Sequence, residues 1–337
     1  MFRSSILLCV VVTVVTFLRA ADAVAADFAP IEAVSAGCRG GETAKCLEAG
    51  NRYRNGQNAP MDPAFAATHY HLACKSGVYE YGCKALHEIG IEFLRGKDHR
   101  GKQAAKDPGK AAEFFGLSCA GNYGPACTSL GEALLAGDGV AKNATKANEL
   151  FVLGCEKGSR IGCRRAGDAL ALTDALGAVP FYEKGCRRKD TASCAALGKM
   201  HLEGAADPKD EKRAFEYFLR SCNQGPASND AGGCFSLARM YDQGTGVEKN
   251  RGEAIRLYVL ACTVLRPKVA GACSLLAHAY KDGDGVKPDA NAAGQYFRQA
   301  CALGSKEACL EWHLDMCNRL GQPSSCSWLV KEGVRKR

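Results

Sequence analysis

The feature that most constrains this chain is the spacing of its cysteines. There are 19 in 337 residues. Apart from Cys9 they fall into nine close pairs: 38/46, 74/83, 119/127, 155/163, 186/194, 222/234, 262/273, 301/309 and 317/326. The second member of one pair lies 28 residues before the first of the next in five cases, with an insertion before Cys119 and a deletion before Cys186. Measured between first members, the period runs from 31 to 45 residues and is most often 36. A period of that length marks a stack of similar units, each too small to bury its own apolar face.

Each unit reads as two helices. Three residues after the leading cysteine stands an apolar residue: Ala49, Leu86, Leu130, Ala166, Leu197, Leu237 or Leu276. A small residue follows in most units (Gly50, Gly131, Gly167, Gly198, Ala238, Ala277), with His87 the exception. The seventh place holds Tyr53, Leu134, Leu170, His201, Tyr241 or Tyr280. Offsets of three, four and seven lie on one helical face. Gly56, Gly137, Gly204, Gly244 and Gly283 then close this helix A, because glycine accepts the left-handed conformation of a helix C-cap.

Helix B starts from an Asp or Asn twelve residues before the cysteine that closes the unit, the first member of the next pair: Asp62, Asp107, Asn143, Asp174, Asp210, Asn250 and Asp289. Such residues cap exposed backbone amides. An alanine follows four residues on, from Ala66 to Ala293. Then comes a bulky pair, such as His69–Tyr70, Phe114–Phe115, Leu150–Phe151 or Tyr217–Phe218. The expected fold is all-α, a right-handed α/α solenoid of helix hairpins.

On these residues the chain resembles the Sel1-like repeat, a relative of the tetratricopeptide repeat. The added cysteine pairs resemble the disulfide-rich Helicobacter cysteine-rich proteins. The resemblance covers roughly residues 38–326. It implies β-lactamase or penicillin-binding activity as one alternative. Respiratory-chain assembly, as some cysteine-rich Sel1-like proteins assist, is another. Four segments follow: a leader at 1–26, a capping helix within 27–45, seven repeats over 46–308, and capping helices with a basic tail over 309–337.

Two cysteine connectivities compete. Pairing across a hairpin, as in Cys127–Cys155, strands Cys38 and Cys326. It also requires Cys309–Cys317, eight residues apart on one helix and so about 12 Å apart, beyond the roughly 7 Å reach of a disulfide. Pairing in sequence order uses all of Cys38–Cys46, Cys74–Cys83, Cys119–Cys127, Cys155–Cys163, Cys186–Cys194, Cys222–Cys234, Cys262–Cys273, Cys301–Cys309 and Cys317–Cys326. The family resemblance implies the same local pairing.

Arg3, the apolar run Ile6–Leu18 and the small residues around Ala21–Ala26 read as a cleavable signal peptide, with an uncleaved anchor as the competing reading. Its removal discards Cys9 and leaves an even set, as expected of a secreted or periplasmic chain. The net charge of +8 falls to +7 with the leader. No aromatic–basic motif accompanies that charge, so no nucleic-acid partner is expected.

The usual chemistry is missing from the sequence. Ser-x-x-Lys, Ser-Asp-Asn, Lys-Thr-Gly, Gly-x-Ser-x-Gly and His-Glu-x-x-His do not occur. No Cys-x-x-Cys occurs, and evenly strung cysteines make no four-ligand zinc site. His69 and His71 form only a weak metal pair. No catalytic residue, metal or cofactor is therefore assigned. The expected function is binding of a protein or peptide by a monomer, on a concave face lined by helix A. The fifth residue after each leading cysteine is the candidate contact: Asn51, Glu88, Glu132, Asp168, Lys199, Arg239 and His278. The basic insertion Lys97–Lys106 is a second candidate, against the alternative of a disordered loop.

Overall fold

A computed structural model describes residues 29–76, 79–205, 208–223 and 230–333. The leader expected at 1–26 and the end of the basic tail, 334–337, lie outside the described residues. The described residues hold seventeen α-helices and no strand beyond one isolated bridge between Lys97 and Gln103. They form two compact units, dividing after Gly158.

The first unit opens with α1 (Ile31–Arg39), followed by three hairpins. These are α2 (Thr43–Asn55) with α3 (Pro63–Lys75), α4 (Lys84–Arg95) with α5 (Pro108–Ala120), and α6 (Gly124–Ala136) with α7 (Ala144–Glu156). The second unit has four hairpins. They are α8 (Arg160–Leu170) with α9 (Ala175–Arg187), α10 (Thr191–Glu203) with α11 (Glu211–Cys222), α12 (Ala231–Gln243) with α13 (Arg251–Val259), and α14 (Ala270–Asp282) with α15 (Ala290–Ala302). Two further helices, α16 (Lys306–Leu320) and α17 (Pro323–Lys331), end it. Each unit is thus an α/α solenoid of stacked hairpins.

The local signals act as their chemistry requires. All seven Asp and Asn residues ahead of the B helices accept hydrogen bonds from first-turn amides. Gly56, Gly137, Gly204, Gly244 and Gly283 all take positive φ, between 67° and 82°. The second member of each bulky pair fills the core: Tyr70, Phe115, Phe151, Tyr182, Phe218, Tyr258 and Phe297 are all buried. Burying such a ring contributes about 1.5–3 kcal/mol.

The small residue of helix A has a specific task. A Cβ on Gly50 would meet the Tyr70 ring at 2.6 Å, one on Gly131 the Phe151 ring at 2.7 Å, and one on Gly198 the Phe218 ring at 2.8 Å. The ring of helix B packs directly against the helix A backbone of its own hairpin. Where that ring belongs to tyrosine, its hydroxyl needs a partner. Tyr70 donates to Asn51 at 2.7 Å, Tyr182 to Asp168 at 2.9 Å and Tyr258 to Asp242 at 3.1 Å.

The second hairpin corrects the sequence alignment. Its ring, Phe115, covers the helix backbone at Gly90, with 2.6 Å to a Cβ placed there, so Gly90 and not His87 holds the place of the small residue. Gly96, six residues further on, caps the helix with φ of 66°. The register of this unit is therefore three residues later than the count from Cys83 gives. A π-helical turn over Tyr79–Cys83 precedes α4.

Disulfides join consecutive helices where one hairpin passes to the next. Bonded pairs are Cys38–Cys46, Cys74–Cys83, Cys119–Cys127, Cys186–Cys194, Cys222–Cys234, Cys262–Cys273, Cys301–Cys309 and Cys317–Cys326, with Cα separations of 4.4–5.0 Å. Cys155 and Cys163 are disulfide-bonded as well. Cys309 and Cys317 both lie on α16.

Candidate binding surface

Within each unit the helix A candidates sit one per hairpin. Lys199 and Arg239 are exposed on α10 and α12. Lys199 pairs loosely with Glu203, at 3.9 Å. His278 is half-buried, its ring edge-on to Phe297 at 5.0 Å. Glu132 is half-buried on α6. Asn51 and Asp168 are exposed, yet each accepts the tyrosine hydroxyl of its own hairpin. Glu88 departs from the set. The register shift puts Ile91 at the place equivalent to Asn51, and turns Glu88 toward the preceding hairpin.

There Glu88 joins a node that the sequence pattern did not reveal. The Arg54 guanidinium donates to Glu88 Oε2 at 3.0 Å and, through Nε, to Glu92 Oε1 at 3.1 Å. The side chains of Arg54 and Glu92 are only 15% and 11% exposed. The Arg54 pKa is raised: burial opposes the charge, and the two carboxylates more than restore it. Two carboxylates one turn apart on α4 thus share the Arg54 cation of α2 and clamp the second hairpin onto the first.

The insertion Lys97–Lys106 is an ordered loop beside this node. Asp98 Oδ1 accepts from the amides of Arg100 and Lys102, at 2.9 and 2.8 Å. Ala104 N donates to Gly96 O at 3.0 Å, and Arg100 reaches the Asn55 carbonyl at 2.6 Å. The loop walls a cleft of about 370 Å³ between the first two hairpins. Ala64, Phe93, Ala104 and Ala105 supply apolar lining; Glu92, Asp98 and Lys110 supply polar lining. The Lys110 ammonium lies 5.5 Å over the Phe93 ring. Size and lining are those of a pocket for a side chain or small ligand.

Two buried histidines of the first unit, His69 and His87, serve packing. Both ring nitrogens of His69 are engaged, by Phe65 O at 2.8 Å and Ser35 Oγ at 3.1 Å, so it is not poised with His71 for a metal. Among the described residues, no three His, Cys, Asp or Glu side chains gather as metal ligands. His87 lies 2.9 Å from Ser129 Oγ, with its ring against Phe115 and Tyr123. Burial pushes its pKa down to about 4.

A family model described as Sel1 repeat matches residues 46–78, 83–123, 124–159, 191–226, 231–263 and 270–305, well over half of the chain. The chain belongs to the Sel1 repeat family. The hairpin Arg160–Arg187 lies between matched segments; its shortened turn carries no capping glycine, and Ala171 takes that place. Two curated relatives are similar over 82 residues. Cytochrome c oxidase assembly factor 7 of Xenopus tropicalis is 38% identical, and factor 7A of Xenopus laevis 37%. The match spans 24% of this chain and 34% of either relative.

Among solved structures, the chain is similar to c5321, a protective antigen of uropathogenic Escherichia coli displaying an SLR fold. The TM-score is 0.69 at 21% identity, covering 92% of this chain and 65% of that one. A Sel1 repeat protein from Oxalobacter formigenes gives 0.59 at 22% identity, over 76% and 99%. At such identity the likeness concerns the fold. A Sel1 repeat scaffold is a protein-interaction scaffold. The bonded cysteines point to an oxidising, extracytoplasmic environment. No described helix is long and apolar enough to cross a membrane.

Proposed function

We propose that the chain is exported and binds a protein or peptide partner on the surface its A helices present, with the cleft beside Lys97–Lys106 receiving a partner side chain. The cleft carries this reading. Ordered by its own hydrogen bonds, it joins apolar lining to charged groups at the one hairpin that bears an insertion. Export is supported by the signal-like N-terminus and by disulfides that need an oxidising compartment. The similarity to cytochrome c oxidase assembly factor 7 fits a scaffold that acts on other proteins.

The test is cross-linking of the purified chain within its own exported fraction, with two variants alongside. Ala104→Trp fills the cleft from an exposed position, and Lys199→Glu with Arg239→Glu reverses the helix A charge. The proposal expects a partner that the native chain captures and at least one variant loses. Identical capture by all three proteins would contradict it.

A further inference from the structure

The turn after α9 keeps the backbone of four other junctions but places a different kind of residue in it. The third residue after the first cysteine of a pair takes a left-handed conformation at Gly41, Asn122, Gly158 and Gly304, with φ of 94°, 67°, 94° and 94°. The equivalent residue here is Lys189, with φ of 64°. A side chain other than glycine or asparagine is disfavoured there. Strain of this kind, held by the surrounding structure, is a pointer to function.

Lys189 does not stand alone. Arg187, Arg188 and Lys189 are consecutive and exposed. Arg188 Nη1 reaches back to Cys163 Sγ at 3.0 Å, which brings the turn to the start of α8. Exposed Arg160 lies there, one helical turn before Cys163, with Ile161, 41% exposed, beside it. The nearby acid is already engaged: Asp190 accepts from Ser193 N at 3.0 Å and faces Arg164 Nε at 3.3 Å.

We propose that Arg187, Arg188, Lys189 and Arg160 form a docking site for an acidic segment of a protein partner. The planar fork of arginine matches carboxylates in two-point hydrogen bonds, and Ile161 gives the segment an apolar contact. The site lies in the second unit, on hairpin junctions, and is separate from the cleft. It deepens the scaffold reading and rests on it.

The experiment is fluorescence anisotropy with a labelled octaglutamate peptide at two salt concentrations, for the native chain and two variants. Lys189→Gly keeps the turn, since glycine accepts its φ. The expected result is a higher Tm together with weaker peptide binding. Arg187→Ser with Lys189→Gly is expected to weaken binding about tenfold and to flatten its salt dependence. Absence of binding by the native chain, or equal binding by the double variant, would overturn the proposal. So would binding to phosphatidylglycerol vesicles without binding to octaglutamate. A partner captured equally by the native chain and the double variant would leave the scaffold reading intact and remove this one.

Discussion

The backbone of Gly121 rests directly on the disulfide of Cys74. A Cβ at that glycine would fall well inside van der Waals contact of Cys74 Sγ, and 2.6 Å from Cys83 Sγ. Gly121 ends α5, so the bridge of one junction is packed beneath the next. Ser118, one turn earlier, donates from its hydroxyl to Cys83 O at 2.7 Å. Disulfide, glycine and serine thus form a single contact between successive hairpins.

Replacing Gly121 with alanine is therefore expected to destabilise the first unit by about 1–3 kcal/mol, the usual cost of overpacking. Its φ of −78° suits alanine, so backbone strain does not contribute. Urea unfolding with a parallel free-thiol assay checks this. Unchanged stability with every thiol blocked would show that the contact is looser than described.

His87 gives the fold an acid-sensitive point. Its folded pKa of about 4, lowered by burial, lies below the ~6.5 of a solvated histidine. Between those values the unfolded chain binds a proton that the folded chain refuses. Stability is therefore complete above pH ~6.5, falls as pH drops through the window, and levels off below about 4. The full loss is on the order of 3 kcal/mol. His87→Gln retains a donor for Ser129 and should flatten the difference between denaturation curves at pH 7.5 and 5. An equal acid response in that variant would place the titrating group elsewhere.

Arg54 should matter more than an ordinary surface arginine. Arg54→Ala leaves Glu92 nearly buried and without its cation, a loss of about 3 kcal/mol or more. Arg54→Ala with Glu92→Gln removes the stranded charge and should recover part of it. A double-mutant cycle read by chemical denaturation measures the coupling; a value near zero would mean that the node is decorative.

Much of this architecture is legible in the sequence because short-range chemistry fixes it. Asp62 and its six counterparts stand where amides need acceptors, and glycines such as Gly137 stand where φ must be positive. In the second hairpin Cys83 does not mark the register. Gly90 and Gly96, six apart like Gly50 and Gly56, carry the true register. A count from Cys83 therefore also puts Glu88 on the wrong face. The Arg54 node was hidden for another reason: it joins residues 34 and 38 positions apart, and no local pattern marks such a pair. No sequence pattern singles out Lys189; only the backbone shows its left-handed conformation.

The cysteines act above all as staples between hairpins. A mass-spectrometric map of the unreduced, exported protein tests this directly. The predicted result is nine cross-linked peptides, each joining sequence-adjacent cysteines from Cys38–Cys46 to Cys317–Cys326, with no free thiol. Peptides linked across a hairpin, such as Cys127 to Cys155, or a reproducible population of free thiols would contradict it.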